Sequence, residues 1–157
     1  MQLIPAIDII GGKCVRLQQG DFDKKTVFSD NPAEIAKRWQ DAGAKRIHIV
    51  DLEGSRAGHP LEIETVKKIV KAIDVPVQLG GGIRNLDICR MVMDAGVDRV
   101  IIGTSAATDI DFAQKVFTEL QEHAILGVDA KDGFVAVKGW EETTSEEAVS
   151  FAQRIQS

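Results

Sequence analysis

Five short apolar runs punctuate the chain at 2–8, 46–51, 76–79, 98–103 and 124–129, most of them rich in Ile and Val. Unbroken apolar runs of this length fit parallel strands covered on both faces. Between them the apolar residues fall at helical spacing. Asn31 stands where an N-cap is needed, with Pro32 at the first helical position and Glu34 three residues after the cap. Ile35, Ala36, Trp39 and Ala42 then form one stripe, and Gly43 ends it. Further helices are predicted near 61–73, 86–95 and 110–121. A last one is predicted after Thr144 or Ser145, with Ala148, Val149, Ala152 and Ile155 as its stripe.

The pattern repeats internally. Asp41-Ala42-Gly43-Ala44-Lys45-Arg46 leads into the second run, and Asp94-Ala95-Gly96-Val97-Asp98-Arg99 into the fourth. The first run ends on Asp8 and the fifth on Asp129; each is followed by a glycine four positions on and then a short β-like run. The chain therefore reads as duplicated βα units. Short connections imply right-handed crossovers and a parallel sheet, either a barrel or an open doubly wound sheet. Five units are counted, in a single domain spanning 1–157. Since a (β/α)8 barrel typically needs ~250 residues, the expectation is an incomplete TIM barrel of about five parallel βα units, truncated near its fifth helix. Such a fragment would leave strands one and five as open edges, through which self-association is expected.

Composition narrows the function. With 157 residues, 44% of them hydrophobic, the chain can bury a substantial core. A formal charge of -5 argues against a broad nucleic-acid surface. No apolar run approaches the ~20 residues that span a bilayer, and the start shows no basic signal-peptide region, so a cytoplasmic protein is expected. Cys14 and Cys89 are too few and too far apart for a metal cluster or a disulfide framework, and no metal site is predicted.

The candidate chemistry sits at the ends of the runs. On extended backbone Ile4, Ala6 and Asp8 share one face, as do Ile125, Gly127 and Asp129. Two carboxylates at the C-terminal ends of parallel strands suit metal-free acid–base catalysis; the alternative is that each caps the turn after its strand. Leu79-Gly80-Gly81-Gly82-Ile83-Arg84 and Ile102-Gly103-Thr104-Ser105-Ala106 are two glycine-bearing loops on neighbouring strands. They can turn backbone N–H groups toward a phosphate, with the Thr104 and Ser105 hydroxyls beside them. Neither has the Walker A or the dinucleotide spacing. His48 and Asp51 lie at opposite parity on the second strand, so one of them can face a ligand. Arg84 is placed to pair with a phosphate or to lie solvated. Trp140 can stack on a heteroaromatic ring or plug its loop. The segment from Arg16 to Phe22 can fold over a substrate.

PAIDIIGGKCVRLQQGDF, HIVDLEGSRAGHP, VQLGGGIR, VIIGTSA and LGVDAKDGFVAVKGW together resemble the N-terminal part of the ProFAR isomerase family of histidine biosynthesis. The full name is phosphoribosylformimino-aminoimidazole-carboxamide ribotide isomerase, a (β/α)8 enzyme. The resemblance implies a cofactor-independent Amadori rearrangement of a phosphorylated ribonucleotide, from aminoaldose to aminoketose. It makes Asp129 the general acid and Asp8 the general base. It places Gly81, Gly82, Arg84, Gly103 and Thr104 around one phosphate, and His48 and Trp140 near the substrate. The family's strands six to eight, with a second phosphate site, have no counterpart here. The cyclase subunit of imidazole glycerol phosphate synthase also pairs aspartates on strands one and five, but the Ile-Ile-Gly-Gly-Lys after Asp8 looks more like the isomerase. Phosphoribosylanthranilate isomerase is expected to have a cysteine where Asp8 stands. A non-catalytic half-barrel that binds a phosphate or a partner chain is the remaining alternative.

Overall fold

The computed structural model describes residues 1–18, 20–137 and 142–156. The chain begins with β1 (Ala6–Ile10), an antiparallel ribbon of β2 (Lys13–Gln18) and β3 (Asp21–Ser29), and helix α1 (Pro32–Asp41). Next come β4 (Ile47–Asp51), α2 (Leu52–Ala57), α3 (Ile63–Ala72), β5 (Val77–Gly80), α4 (Leu86–Asp94) and β6 (Arg99–Ile102). Then α5 (Thr104–Thr108), α6 (Ile110–Leu120) and β7 (Ala124–Leu126) lead to a second ribbon and a final helix. These are β8 (Ala130–Lys131), β9 (Phe134–Val137), β10 (Glu142–Glu147) and α7 (Ala148–Gln156).

Helix α1 starts as its sequence predicts. The Asn31 side chain accepts the N–H of Glu34, and Pro32 occupies the first turn, where its missing N–H is not needed. The sheet runs β3-β2-β1-β4-β5-β6-β7, with β1, β4, β5, β6 and β7 parallel and in chain order. Same-handed crossovers between successive neighbours keep placing helices on one face. That face is the core. Ile7, Ile9, Ile47, Ile49, Val77, Leu79, Val100 and Ile102 pack there against Ala36, Val66, Ile69, Cys89, Val92, Ala113 and Val116. Alternate strand residues point the other way. The fold is α/β with a mostly parallel sheet that does not close on itself.

Several expectations need correction. The first strand covers Ala6–Ile10 rather than 2–8; Pro5 has no N–H to give, and its carbonyl accepts the N–H of His48 at 2.9 Å. Strand one is not an open edge over its C-terminal half, because β2 pairs with it from Asp8 to Ile10. The fifth run ends at Leu126. Beyond it the Gly127 N–H still bonds to the Ile102 carbonyl, but the Asp129 carbonyl turns to accept from Ala136 of β9. Thr144 and Ser145 do not cap a helix. They lie in β10, which pairs with β9 through a register shift between Thr143 and Glu147, and α7 begins only at Ala148. Short helices α2 and α5 follow β4 and β6 where the apolar pattern signals none.

Candidate active site

The face away from the helices carries the candidate chemistry, and backbone register orders it. Asp8 lies level with Val50, Val50 with Gly80, Gly80 with Ile101 and Ile101 with Ile125. One row toward the strand N-termini come Ala6, His48, Gln78 and Arg99. Residues level in adjacent parallel strands point the same way, so Asp8, His48, Gln78, Gly80 and Ile101 share this face. A Cβ built at Gly80 would sit 3.6 Å from Cβ of Ile101 and 3.9 Å from Cε1 of His48, and one built at Gly127 would sit 3.1 Å from Cγ2 of Ile101. Gly80 therefore leaves room beside His48, whereas Gly127 packs close against Ile101.

Asp8 is half-buried. Burial pushes its carboxyl above the ordinary aspartate range, and the Arg16 guanidinium pulls it part of the way back. Asp129 follows the end of β7, four residues along from Ile125, which is level with Asp8. The surrounding protein raises its carboxyl as well, with burial as the cause. Asp129 is nonetheless exposed, and water reaching it limits that rise. The two carboxyls belong to the two outermost units of the parallel part of the sheet, Asp8 within β1 and Asp129 just beyond β7.

Ser105 joins the two glycine loops. Its hydroxyl donates to the Ile83 carbonyl at 2.7 Å. Gly103 precedes α5, and its carbonyl accepts from Ala106 and Ala107, while Thr104 is exposed. Gly81 and Gly82 have φ of 113° and 74°. A Cβ at Gly81 would overlap the Asp51 carbonyl, and one at Gly82 would lie 2.6 Å from the carbonyl oxygen of Gly54. Packing against α2 and the loop after it is therefore reason enough for these two glycines. Arg84 lies on the same neighbour: its guanidinium crowds Gly58, and Nη2 sits 3.5 Å from the Ser55 carbonyl. Trp140 lies outside the described residues.

His48 and Asp51 divide as their parity requires. His48 is half-buried on the open face, where burial lowers its pKa. Asp51 is fully buried and accepts the N–H groups of Gly54, Leu61 and Glu62 at 2.7, 2.6 and 2.9 Å. It builds the loop and does not face a ligand. The segment around Phe22 is tied down, with the Arg56 guanidinium 4.5 Å above the Phe22 ring. A cavity of about 570 Å³ opens on the other side of β1, between the first ribbon and α1. Asp8 and Arg16 border it, but the glycine loops do not. Cys14 and Cys89 are buried and their thiols are pushed up to about 11, so neither is a thiolate nucleophile near neutral pH.

Sequence reasoning missed Gln78, Glu53 and Glu62. Gln78 had a signal, as the one strongly polar residue in the run 76–79. Glu53 and Glu62 had none.

A family model described as "Histidine biosynthesis protein" matches residues 2–157. The chain belongs to that family. It is 50% identical to a protein of Delftia acidovorans and 51% identical to one of Hahella chejuensis, alignments that cover 99% and 98% of this chain. A Synechocystis relative is 44% identical over 99% of the chain. All three bear the name 1-(5-phosphoribosyl)-5-((5-phosphoribosylamino)methylideneamino)imidazole-4-carboxamide isomerase. The chain spans 64%, 64% and 61% of their respective lengths, just under two thirds. Among the described residues no helix is long and apolar enough to cross a membrane, and no group of three or more His, Cys, Asp or Glu is placed to hold a metal ion.

Proposed function

We propose that this histidine-biosynthesis family member carries the acid–base half of an aldose–ketose isomerase, acting on the phosphorylated ribonucleotide that its relatives are named for. The observation that carries the reading is a pair of carboxyls placed on the first parallel strand and just beyond the last, Asp8 within β1 and Asp129 after β7. Both are raised by burial, but only Asp8 has a counter-charge, Arg16, among the causes of its shift. Arg16 favours the ionised form of Asp8, which suits a base; the acid role of Asp129 is what the resemblance to the isomerase family implies.

The reaction follows from those roles. Asp129 gives its proton to the ribose ring oxygen as the C1′–O bond breaks, and the nitrogen lone pair closes onto C1′ to form an iminium. Asp8 takes the proton from C2′, and the electron pair of that C–H bond moves toward nitrogen to give an enolamine. Ketonisation at C2′ with protonation at C1′ completes the rearrangement. The redox change is internal to the substrate, so the scheme calls on no redox cofactor. The glycine loops joined through Ser105 and Ile83 are the proposed seat of one substrate phosphate.

The five parallel strands are further proposed to be the first five units of a (β/α)8 barrel, in one domain. Their order along the chain, the helices on one face and the greater length of the relatives support this. The sheet's open face and unpaired strand edges would then be the surfaces through which the isolated chain self-associates.

The test is conversion of the aminoaldose to the aminoketose by this chain, alone and joined to the remaining third of a relative. General acid–base groups typically contribute ~10²–10⁴-fold. Asp8→Asn and Asp129→Asn should each lower kcat by that order with little change in KM. Near-normal turnover in either variant would remove that residue from the mechanism.

A further inference from the structure

His48 and Gln78 are level neighbours on β4 and β5, and their side chains meet on the open face. The Gln78 amide nitrogen lies 3.4 Å from His48 Nδ1. An amide nitrogen can only donate, so Nδ1 at the other end of this contact must accept. Gln78 is buried, with 9% of its surface exposed, and the backbone on either side is fixed in the sheet. A polar side chain held in an otherwise apolar four-residue strand is an expensive choice unless its hydrogen bonds are used.

We propose that Gln78 is a positioning residue: its side-chain amide holds the His48 imidazole as the neutral tautomer that carries its proton on Nε2. Which ring nitrogen bears the proton is decided by the bond that the other makes. With Nδ1 occupied, and Cε1 beside Gly80, Nε2–H is left to donate to a ligand lying over the glycine. Burial keeps the ring neutral, so His48 offers a hydrogen bond rather than a charge. The acceptor it suits is an uncharged oxygen, such as a hydroxyl or a carboxamide, and not a phosphate. That a ligand occupies this face rests on the isomerase reading above; the tautomer does not.

The chain supplies its own control. His123 Nδ1 lies 2.6 Å from the Asp98 carbonyl, which can only accept, so His123 must protonate Nδ1. With three histidines in the sequence, the rings can be read separately in one spectrum. The experiment is a long-range proton–nitrogen correlation on the histidine-labelled chain, above the histidine titration range, in wild type, Gln78→Leu and Gln78→Glu. The expected pattern is Nε2–H for His48 beside Nδ1–H for His123. Gln78→Glu should draw the His48 proton to Nδ1 and raise the titration midpoint. Gln78→Leu should move the Nδ1 resonance toward that of a free imidazole. Because free histidine already favours Nε2–H, the variants decide the matter. A His48 ring protonated on Nδ1 in wild type overturns the proposal. So does a His48 signal that Gln78→Leu leaves unmoved, and that comparison stands even if the buried glutamate prevents folding. An inactive chain showing the expected pattern would count against the isomerase reading alone.

Discussion

The carboxylate of Glu62 accepts the backbone N–H of Gly12 at 2.8 Å, across fifty residues of chain. Its other oxygen accepts the Thr65 hydroxyl at 2.7 Å, and its own N–H is bound by Asp51. Gly11 is held in parallel by Glu53, also at 2.8 Å. The tight turn after β1, which fixes where the strand carrying Asp8 ends, is thus clamped by carboxylates from the first turn of α2 and the N-cap of α3. Glu53 and Glu62, the latter itself held by Asp51, thus fix the loop that follows the strand carrying Asp8.

Glu62→Ala should therefore destabilise the fold. It leaves the Gly12 N–H and the Thr65 hydroxyl without their acceptor in a part-buried place, at ~1–3 kcal/mol for a buried group left unsatisfied. Glu62→Gln keeps an oxygen for Gly12 and can donate to Thr65, so it should lose clearly less. Urea melts with unchanged slope would show the order; an alanine variant as stable as the glutamine one would mean that the clamp adds nothing to stability.

Much of the architecture is legible in the sequence. The Asn31-Pro32 start of α1, the five apolar runs and their parallel order follow from periodicity and capping alone. What failed did so where tertiary contacts decide. The end of β7 depends on where Asp129 finds a partner, and Thr144 is in a strand because β9 lies beside it. At the site, the parity of His48 and Asp51 was readable, but which of them faces the helices was not. The glycines at 81 and 82 read as a phosphate cradle, yet the pressure of Asp51 and Gly54 on them appears in no local pattern.

That pressure separates two adjacent substitutions. Gly81→Ala places a Cβ in the Asp51 carbonyl at a φ of 113°, so something must move, and roughly 3 kcal/mol or more should be lost. Gly80→Ala meets only ordinary contacts at 3.6 and 3.9 Å. It should fold with stability changed by less than about 1 kcal/mol, while filling the space above His48 and lowering ligand affinity. Equal thermal stability for the two variants would contradict the packing described here.

Phosphate should perturb the backbone amides of 80–84 and 103–106 together, since Ser105 ties one loop to the other. Nitrogen–proton correlation spectra over a titration to millimolar phosphate would show it. Ser105→Ala should separate the two responses, leaving shifts in one loop only. Shifts centred on other loops, or none, would count against an anion site there.

The last expectation concerns pH. Burial raises the Asp8 pKa above its ordinary value, with Arg16 offsetting only part of the rise. The folded chain therefore holds this proton more tightly than the unfolded chain does. Between the ordinary aspartate value and the raised one, the folded state binds more protons, so stability falls as pH rises through that interval. Below it both states are protonated and Asp8 carries no penalty; above it the penalty is complete. Asn has nearly the same shape and never ionises. Asp8→Asn should match wild type at about pH 3 and become the more stable of the two above the interval, with the difference then constant. Asp129→Asn should show the same sign with a smaller difference, because water reaches that carboxyl. Urea melts of the three chains across the acid range would trace it. A neutral-pH loss of stability in Asp8→Asn would mean that the attraction to Arg16 outweighs burial, and the basis for a raised carboxyl within β1 would be gone.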